Sequence, residues 1–231
     1  MHYRYLCSNN RLQVSTRTLT FAAKNDKWDG VYSDIERRKI LDYCSALEKP
    51  TVYTKAIELI FCLDIRVGEL RALQWDDIDL ENKKVKIAHQ MVDRPSETAN
   101  RHAVRSDIMK GAKEAGKRVQ PLSKHALGVI NWLLENNGGN EWVLPNKGGK
   151  EPITTNRINE NLKRICNKLG IKYYSSHGAR FYAISAMYDA GVPEKEIQRM
   201  SGHTTPTMTQ HYNKKIASFE LDADKLEAIF G

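Results

Sequence analysis

The sequence predicts a mostly α-helical domain with a small antiparallel β-sheet, an α+β fold. Three observations favour this class: apolar residues recur mainly at helical spacing, capping residues precede several of these stretches, and only two short stretches resemble strands. A chain of 231 residues with 41% hydrophobic content is long enough to bury the core of one large domain.

The first predicted helices follow a polar, basic stretch of about 30 residues. In SDIERRKILDYCSAL, Ser33 can cap a helix. The inward face of this helix would hold Ile40, Leu41, Cys44 and Leu47. The next segment is apolar on nearly every side from Ala56 to Leu63, which predicts a buried central helix.

The predicted strands follow a short helix at residues 67–75, in which Leu70 and Leu73 point inward. KVKIAH alternates with a period of two and predicts one strand, and RVQPL predicts another. Residues 90–117 are polar, rich in charge and glycine, and lack an apolar face. The whole region therefore predicts a small sheet with a long basic hairpin.

The C-terminal half is predicted to be helical. One helix, SKHALGVINWLLENN, would have an inward side of Leu127, Ile130 and Leu134. A turn-rich link precedes a second, whose inward residues would be Ile158, Leu162, Ile165 and Leu169. SHGARFYAISAMYDAG and PEKEIQRMSG predict two more helices, the latter with Pro193 at its first helical position. SFELDADKLEAIF predicts the last.

Charge and cysteine usage narrow the function classes. Thirty-six Lys and Arg against 28 Asp and Glu give a net charge of +8, which favours a polyanionic partner. The four cysteines form no CxxC pair, so we expect core thiols rather than disulfides or a zinc site: Cys7, Cys44, Cys62 and Cys166. No stretch reaches the ~20 apolar residues of a membrane span, and the start lacks a signal-peptide core. We therefore expect a soluble, intracellular protein.

Two pairs of residues have the spacing of a phosphate site. His177 and Arg180 are three residues apart at the start of a predicted helix, so both leave one face near free backbone N–H groups. Such a pair alone is more often a surface histidine beside an ion-paired arginine. Arg66 and Glu69 form a second same-face pair. The planar fork of Arg66 suits two phosphate oxygens, and Glu69 would support it structurally.

Tyr212 is a candidate nucleophile nine residues after His203. Tyrosine has an unperturbed pKa of about 10, so a chain that uses it must surround the phosphate with cations and hydrogen-bond donors. Nothing local marks Tyr212 as activated, and most of the ten tyrosines are expected to pack or lie on the surface. His211 is expected to be a bystander, and a zinc site built from His203 and His211 lacks further ligands.

Two groups of cations are candidates for contacts with DNA. In the basic hairpin, at most one lysine is expected to protonate a departing oxygen. The other hairpin cations would attract phosphates or remain solvated: Lys110, Lys117 and Arg118. Arg157, Lys163 and Arg164 on the 155–169 helix could read DNA, although a solvated face explains them equally well.

Six residues resemble, in order and spacing, the catalytic set of the tyrosine recombinase family: Arg66, Lys113, His177, Arg180, His203 and Tyr212. This family includes phage integrases, Xer-type recombinases and conjugative-transposon integrases. IRVGELRALQWDDID is similar to its first-arginine box, and KEAGKRVQPL to the hairpin with the catalytic lysine. GVPEKEIQRMSGHTTPTMTQHY is similar to the part of the second box that ends in the nucleophile. HGAR departs from the family, in which a bulky apolar residue commonly precedes the arginine.

The resemblance implies the DNA breaking–rejoining fold and a strand transferase that needs no metal, ATP or other cofactor. Tyr212 would attack the scissile phosphate, forming a 3′-phosphotyrosine link and freeing a 5′-hydroxyl that Lys113 protonates. Arg66 and Arg180 would bind the non-bridging oxygens. Two histidines would assist at the same phosphate, the first as base or hydrogen-bond donor and the second as donor: His177 and His203.

The resemblance also implies partners and domain organisation. Double-stranded DNA recombination sites would be held by a homotetramer that exchanges residues 219–230, with a monomer in the free state and DNA-bending accessory proteins as candidate partners. Residues 1–30 would be a linker or the remnant of an upstream core-binding domain, and 31–231 the catalytic domain. We expect an excised catalytic domain rather than a naturally minimal recombinase, from a phage or other mobile element, acting in the bacterial cytoplasm.

Two other functions remain open at this point. A type IB topoisomerase shares the chemistry but relaxes supercoils without sequence choice, and the layout of the second box favours a recombinase instead. A DNA-binding module whose catalysis has decayed is the other alternative. The intact six-residue set argues against decay.

Overall fold

A computed structural model describes residues 30–94, 102–107, 116–203 and 205–210 of the chain. The α-helices in these ranges are α1 (Asp34–Ser45), α2 (Val52–Cys62), α3 (Val67–Arg71), α4 (Lys124–Asn137), α5 (Thr155–Lys168), α6 (Ser176–Asp189), α7 (Glu194–Ser201) and α8 (Pro206–Gln210). The strands are β1 (Ile78–Asp79), β2 (Lys84–Ile87), β3 (Gln90–Arg94), β4 (His102–Ser106) and β5 (Arg118–Pro121). A 3₁₀ turn at Trp75–Asp77 precedes β1. The predicted α+β class is confirmed.

Helix α2 is the centre of the core. Its residues are buried without interruption from Thr54 to Phe61, and α1, α4, α5 and α6 all pack against it. The flanking helix α1 begins as predicted, because the Ser33 hydroxyl accepts from the backbone N–H of Glu36 and the Glu36 carboxylate accepts from the Ser33 N–H. The segment that follows α2, which carries Asp64 and Arg66, therefore starts from a rigid support.

The strands form two sheets rather than the single predicted sheet. Strands β1, β2 and β5 make an antiparallel sheet in that order, and β3 pairs with β4 in a separate antiparallel hairpin. Met91 of β3 packs with Ala72 and Trp142. This apolar contact joins the hairpin to the core. Arg105 of β4 donates to the Ala72 carbonyl and to Asp77. These contacts join residues distant in sequence, so local periodicity did not reveal β3 and β4.

The predicted inward face of α4 is wrong by part of a turn. Its buried residues are Ala126, Val129, Ile130 and Leu133, whereas Leu134 is 39% exposed. The buried set has the i, i+3, i+4, i+7 spacing of a helix face, and α4 presents it to α2. Helix α7 begins at Glu194 with Pro193 as its N-cap, one residue later than predicted.

Helix α5 and the described cysteines agree with the predictions. Three of the four predicted inward residues of α5 are buried and Leu169 is partly buried at its C-cap. Gly170 follows with a φ of +66°, the left-handed conformation that suits glycine at a helix end. The free thiols of Cys44 and Cys166 are buried and that of Cys62 is partly buried. Cys7 and the predicted helix at residues 219–230 lie outside the described residues.

No helix in the described ranges is both long enough and apolar enough to cross a membrane.

Replacing Leu133 with alanine is expected to lower the free energy of unfolding by about 2–5 kcal/mol, because the side chain is fully buried against the core. The neighbouring Leu134→Ala should cost less than about 1 kcal/mol, since Leu134 is 39% exposed. Urea denaturation followed by circular dichroism measures both values. If Leu134→Ala lowered the free energy of unfolding more than Leu133→Ala, the inward face of α4 would be the one predicted from the sequence.

Candidate active site

Arg66 lies at the N-cap of α3, directly after the short segment of Leu63, Asp64 and Ile65 that follows α2. Its backbone N–H donates to Glu69 Oε2 over 2.9 Å and its Nη1 donates to Glu69 Oε1 over 2.8 Å. The second terminal nitrogen, Nη2, lies 3.5 Å from the Gly202 carbonyl oxygen. The side chain remains 20% exposed, so the Arg66 guanidinium is fixed on one edge and borders solvent on another.

Glu69 is the anion around which three guanidinium groups gather. Its side chain is 1% exposed and accepts a hydrogen bond from Arg118 Nη2 over 2.9 Å. Arg180 Nη1 lies 3.9 Å from the same Oε2 atom. Burial tends to raise the pKa of Glu69, but Arg118, Arg180 and Arg66 together hold it below its ordinary value. Glu69 is therefore a carboxylate at neutral pH.

Arg118 was predicted to be a surface cation that contacts DNA, and the structure instead buries it. It is 7% exposed, and its Nη2 also donates to the Asp64 carbonyl over 2.8 Å. Strand β5 alternates so that Arg118 and Gln120 face inward while Val119 is 49% exposed. The prediction made RVQPL a short strand but grouped Arg118 with the solvated cations of the basic hairpin. The buried charge of Arg118 is tolerated because Glu69 pairs with it.

Arg180 projects from α6 into the same cluster. Its side chain is 2% exposed, and its Nη2 donates to the Ser201 carbonyl and lies 3.2 Å from His203 Nε2. Its Nη1 lies 3.5 Å from Asp64 Oδ1. Burial lowers the pKa of Arg180 from its ordinary value, and Asp64 acts in the opposite direction. Arg180 thus connects α6 to the turn that carries His203.

His203 is a buried, neutral histidine. Arg180 can only donate hydrogen bonds, so His203 Nε2 accepts, and Nδ1 carries the ring proton toward Thr209 Oγ1 at 3.0 Å. Burial first, and then the charges of Arg180, Arg66 and Arg118, lower the pKa of His203 to about 3. The described partners of both ring nitrogens are protein groups, and the role of His203 as a donor to phosphate stays a prediction.

Gly202 allows the turn before His203 to approach Arg118 closely. Its φ is +60° and ψ is 38°, the left-handed conformation that ends α7. A Cβ atom at this position would lie 3.0 Å from Arg118 Nη1 and 3.2 Å from the Gly116 carbonyl oxygen. Any larger residue would therefore press on the arginine cluster as well as strain the backbone.

The remaining predicted site residues lie on the surface or outside the described residues. His177 is exposed in the first turn of α6, where its backbone N–H donates to Ser175 Oγ over 3.3 Å. The other predicted DNA contacts that the structure describes are exposed: Lys117, Arg157, Lys163 and Arg164. Arg157 forms an ion pair with Glu160 at 3.2 Å. Three predicted residues lie outside the described residues: Lys110, Lys113 and Tyr212.

The cluster joins four segments that are far apart in sequence or fold: the stretch from the end of α2 to the start of α3, strand β5, helix α6, and the end of α7 with the turn that follows it. It contains Arg66, Glu69, Arg118, Arg180 and His203, with Asp64 and Ser201 beneath. Sequence reasoning identified four of these seven as site residues with the positions they occupy, misplaced Arg118, and missed Asp64 and Ser201. The alternation of inward and outward residues along β5 was the sequence signal that could have placed Arg118 in the interior.

The sequence profile of the phage integrase family matches residues 33–218. The chain belongs to this family, and the predicted resemblance is confirmed. It is 24% identical over 158 residues to tyrosine recombinase XerC of Xylella fastidiosa (strain M23), which covers 68% of this chain and 46% of that protein. XerC of Xanthomonas campestris pv. campestris (strain B100) is 23% identical over 222 residues, covering 91% of this chain and 59% of that protein.

Solved structures show the same fold. The Tn1549 transposon integrase, in complex with a circular intermediate DNA, has a TM-score of 0.70 at 18% identity over 86% of this chain and 64% of that one. XerA recombinase has a TM-score of 0.62 at 17% identity over 87% of this chain and 63% of that one. The fold is that of a tyrosine recombinase catalytic domain. The chain spans about half the length of the curated relatives that it matches first.

The low pKa of His203 predicts a pH-dependent loss of stability. The folded state keeps the ring neutral down to about pH 3, whereas the unfolded chain protonates it below about 6.5. The unfolded state thus binds the extra proton in this window, so stability falls as pH falls, by up to about 1.4 kcal/mol per pH unit.

Urea denaturation of wild type and His203→Asn at pH 7, 6 and 5 measures this contribution. The slope of wild type against pH should exceed that of the variant, whose side chain does not titrate. Acidic groups with a lowered pKa, such as Glu69, also stabilise the folded state less as pH falls. Their contribution is the same in both proteins and cancels in the difference between the two slopes. Equal slopes would contradict a buried neutral histidine.

Proposed function

We propose that this chain is the catalytic part of a site-specific DNA recombinase that cuts and rejoins strands through a 3′-phosphotyrosine intermediate on Tyr212. The observation that carries the proposal is the buried cluster of three arginines around Glu69, beside a neutral His203. A phosphodiester bound there would meet pre-positioned donors in a site that is largely shielded from water.

The charge balance of the cluster suits one phosphodiester. Three guanidinium groups face two carboxylates, those of Asp64 and Glu69. One positive charge is left over, and His203 adds none at neutral pH. A DNA phosphate carries one negative charge, and its transition state for displacement by an oxygen carries more. The leftover charge therefore favours phosphate binding and the transition state.

Arg66 and Arg180 have complementary positions for this role. Arg66 is 20% exposed and only its Nη1 is held closely, so Nη2 can turn toward a phosphate oxygen. Arg180 is fixed by protein groups on both terminal nitrogens. We infer that Arg66 makes the first contact with the phosphate and that Arg180 supplies a fixed charge that binding does not have to organise.

Helix α8 supports the assignment of Tyr212 as nucleophile. Thr209 of α8 is fully buried and hydrogen-bonded to His203, which in turn contacts Arg180. Tyr212 follows Thr209 by three residues in the chain. A tether this close in sequence restricts where the phenol can go relative to the arginines. In the reaction, the Tyr212 oxygen would bond to phosphorus as the bond to the 5′-oxygen breaks.

The protons of this step need a base and an acid. We assign the base or hydrogen-bond role at Tyr212 to His177, which is exposed one turn before Arg180 on α6. Lys113 would give its proton to the departing 5′-oxygen. Because the new phosphodiester link conserves the energy of the old one, the reverse step with a 5′-hydroxyl of another strand needs no ATP.

The wider organisation is proposed from the family. We propose that the chain binds double-stranded recombination sites as a homotetramer and is a monomer when free. Residues 1–30 would be a linker or the remnant of an upstream core-binding domain, and residues 219–230 would pack on a neighbouring protomer. The Tn1549 integrase was solved on a circular intermediate DNA and XerH on a difH substrate. We propose that this protein acts on DNA of a mobile element in the bacterial cytoplasm.

Trapping the covalent intermediate tests the proposed reaction. Wild-type protein, without added metal, should form an adduct on Tyr212 with a pooled library of DNA duplexes carrying a bridging phosphorothiolate. Tyr212→Phe should form none, because it lacks the attacking oxygen. Mass spectrometry locates the adduct. An adduct on another residue, or cleavage that requires Mg²⁺, would contradict the mechanism.

The choice of Lys113 as general acid is tested with an ordinary 5′-oxygen substrate. Lys113→Ala should slow adduct formation by about 100-fold, within the range of general acid catalysis. Lys110→Ala, which removes the same charge from the same hairpin, should slow it by less than about threefold. A bridging 5′-sulfur leaves without a proton, so it should restore the rate of Lys113→Ala. The opposite ranking would move the role to Lys110.

A further inference from the structure

Asp64 is a buried carboxylate that belongs to none of the predicted catalytic positions. It lies two residues before Arg66 and is 5% exposed. Its Oδ2 accepts a hydrogen bond from the Ser201 hydroxyl, and its Oδ1 lies 3.5 Å from Arg180 Nη1. Burying a carboxylate costs free energy unless partners compensate its charge, and Ser201 and Arg180 are the partners that do so here.

The backbone of Asp64 is also held in place. Its carbonyl oxygen accepts hydrogen bonds from Arg118 Nη2 over 2.8 Å and from Gln120 Nε2 over 3.1 Å. Gln120 donates in addition to the Met200 carbonyl over 2.7 Å, on the residue before Ser201. The residue that carries the carboxylate is thus fixed against β5 and the end of α7, which leaves it little freedom to move with Arg180.

Ser201 holds Arg180 from the other side. It is fully buried, and its carbonyl accepts from Arg180 Nη2. Its hydroxyl donates to Asp64 Oδ2. A closed ring of polar contacts therefore connects three residues. It runs from the Asp64 carboxylate through the hydroxyl and carbonyl of Ser201 to the two terminal nitrogens of Arg180, and back to Asp64. Rotation of the Arg180 guanidinium would break contacts at both terminal nitrogens.

Charge compensation alone does not account for this arrangement. Glu69 already pairs with Arg66 and Arg118 at hydrogen-bonding distance, but it lies 3.9 Å from Arg180. Asp64 is the nearer anion for Arg180, at 3.5 Å, and the one that is joined to the His203 turn through Ser201. A carboxylate that served only to balance charge would need no link to Ser201.

We propose that Asp64 and Ser201 form a positioning pair that sets the orientation of Arg180 for the phosphoryl-transfer step. Neither residue contacts DNA. The pair acts by presenting Arg180, and with it the Nε2 side of His203, in one fixed geometry. This inference rests on the proposed recombinase chemistry, since the step it tunes is attack on a phosphate.

The first test compares rate and DNA affinity in Asp64→Asn, which keeps the shape of the side chain and removes its charge. The rate constant of adduct formation at saturating phosphorothiolate DNA should fall by about 10- to 100-fold, the scale of a misplaced catalytic group. The DNA concentration for half-saturation should change by less than about threefold, because the positive charge of the cluster is not reduced. The proposal would be overturned if only the DNA concentration for half-saturation rose, or if the rate constant of adduct formation did not change.

Ser201→Ala and a matched control complete this test. Ser201→Ala removes the hydroxyl and leaves the carbonyl bond to Arg180, so its rate should fall less than that of Asp64→Asn. The double variant should be no slower than about twice Asp64→Asn, since both changes break one link. Asp76→Asn makes the same charge change at an exposed position and should react like wild type. Fully additive losses, or an equal loss in Asp76→Asn, would overturn the proposal.

A second measurement needs no DNA. The rotation of the Arg180 guanidinium about its Cζ–Nε bond can be followed by ¹⁵N nuclear magnetic resonance, assigned with Arg180→Lys. Rotation should be slow in wild type and at least about tenfold faster in Ser201→Ala, which keeps the buried carboxylate and is the milder change for folding. Unchanged rotation in Ser201→Ala and Asp64→Asn would overturn the positioning role.

The two measurements separate this inference from the proposed reaction. Failure of wild type to form an adduct counts against the reaction, while the rotation of Arg180 still decides whether the pair positions it. If wild type forms the adduct and both Asp64→Asn and Ser201→Ala react at the wild-type rate, the proposed reaction is retained and the positioning pair is rejected.

Discussion

The Glu69 carboxylate is the contact on which the arrangement of the site depends. It is almost fully buried and faces guanidinium groups from three elements, at its own helix α3, at β5 and at α6. Without an anion there, three like charges would lie together in a low-dielectric interior, where their repulsion is strongest. Attraction to Glu69 therefore brings together segments that are separated by more than a hundred residues.

The same electrostatics links the arginines to His203. Positive charge in the cluster attracts a phosphate and, at the same time, disfavours a second positive charge on the imidazole, whose pKa falls to about 3. A neutral ring can accept from Arg180 through Nε2 and donate to Thr209 through Nδ1. The histidine thus extends the fixed geometry of Arg180 toward α8, where a protonated ring would repel Arg180 instead.

Helix α2 provides the rigid base for this polar cluster. Eight successive residues of the helix are buried, and the chain then changes from apolar Leu63 to the polar Asp64 and Arg66 within three residues. Strongly packed interiors resist small displacements, so a helix buried on all sides holds the following residues to a narrow range of positions. The catalytic proposal needs this precision, because charge that is already oriented requires no reorganisation during the reaction.

Sequence by itself determined the helical segments, their caps and the order of Arg66, Glu69, Arg180 and His203, because helix periodicity, capping and motif spacing are properties of neighbouring residues. It did not determine the buried face of α4, the β3–β4 hairpin or the inward position of Arg118. Those depend on partners far along the chain: Arg118 meets Glu69 across 49 residues, and Met91 of β3 packs with Trp142. Whether a polar side chain is solvated or buried is decided only when such partners meet, since burial is favourable only once its charge is compensated.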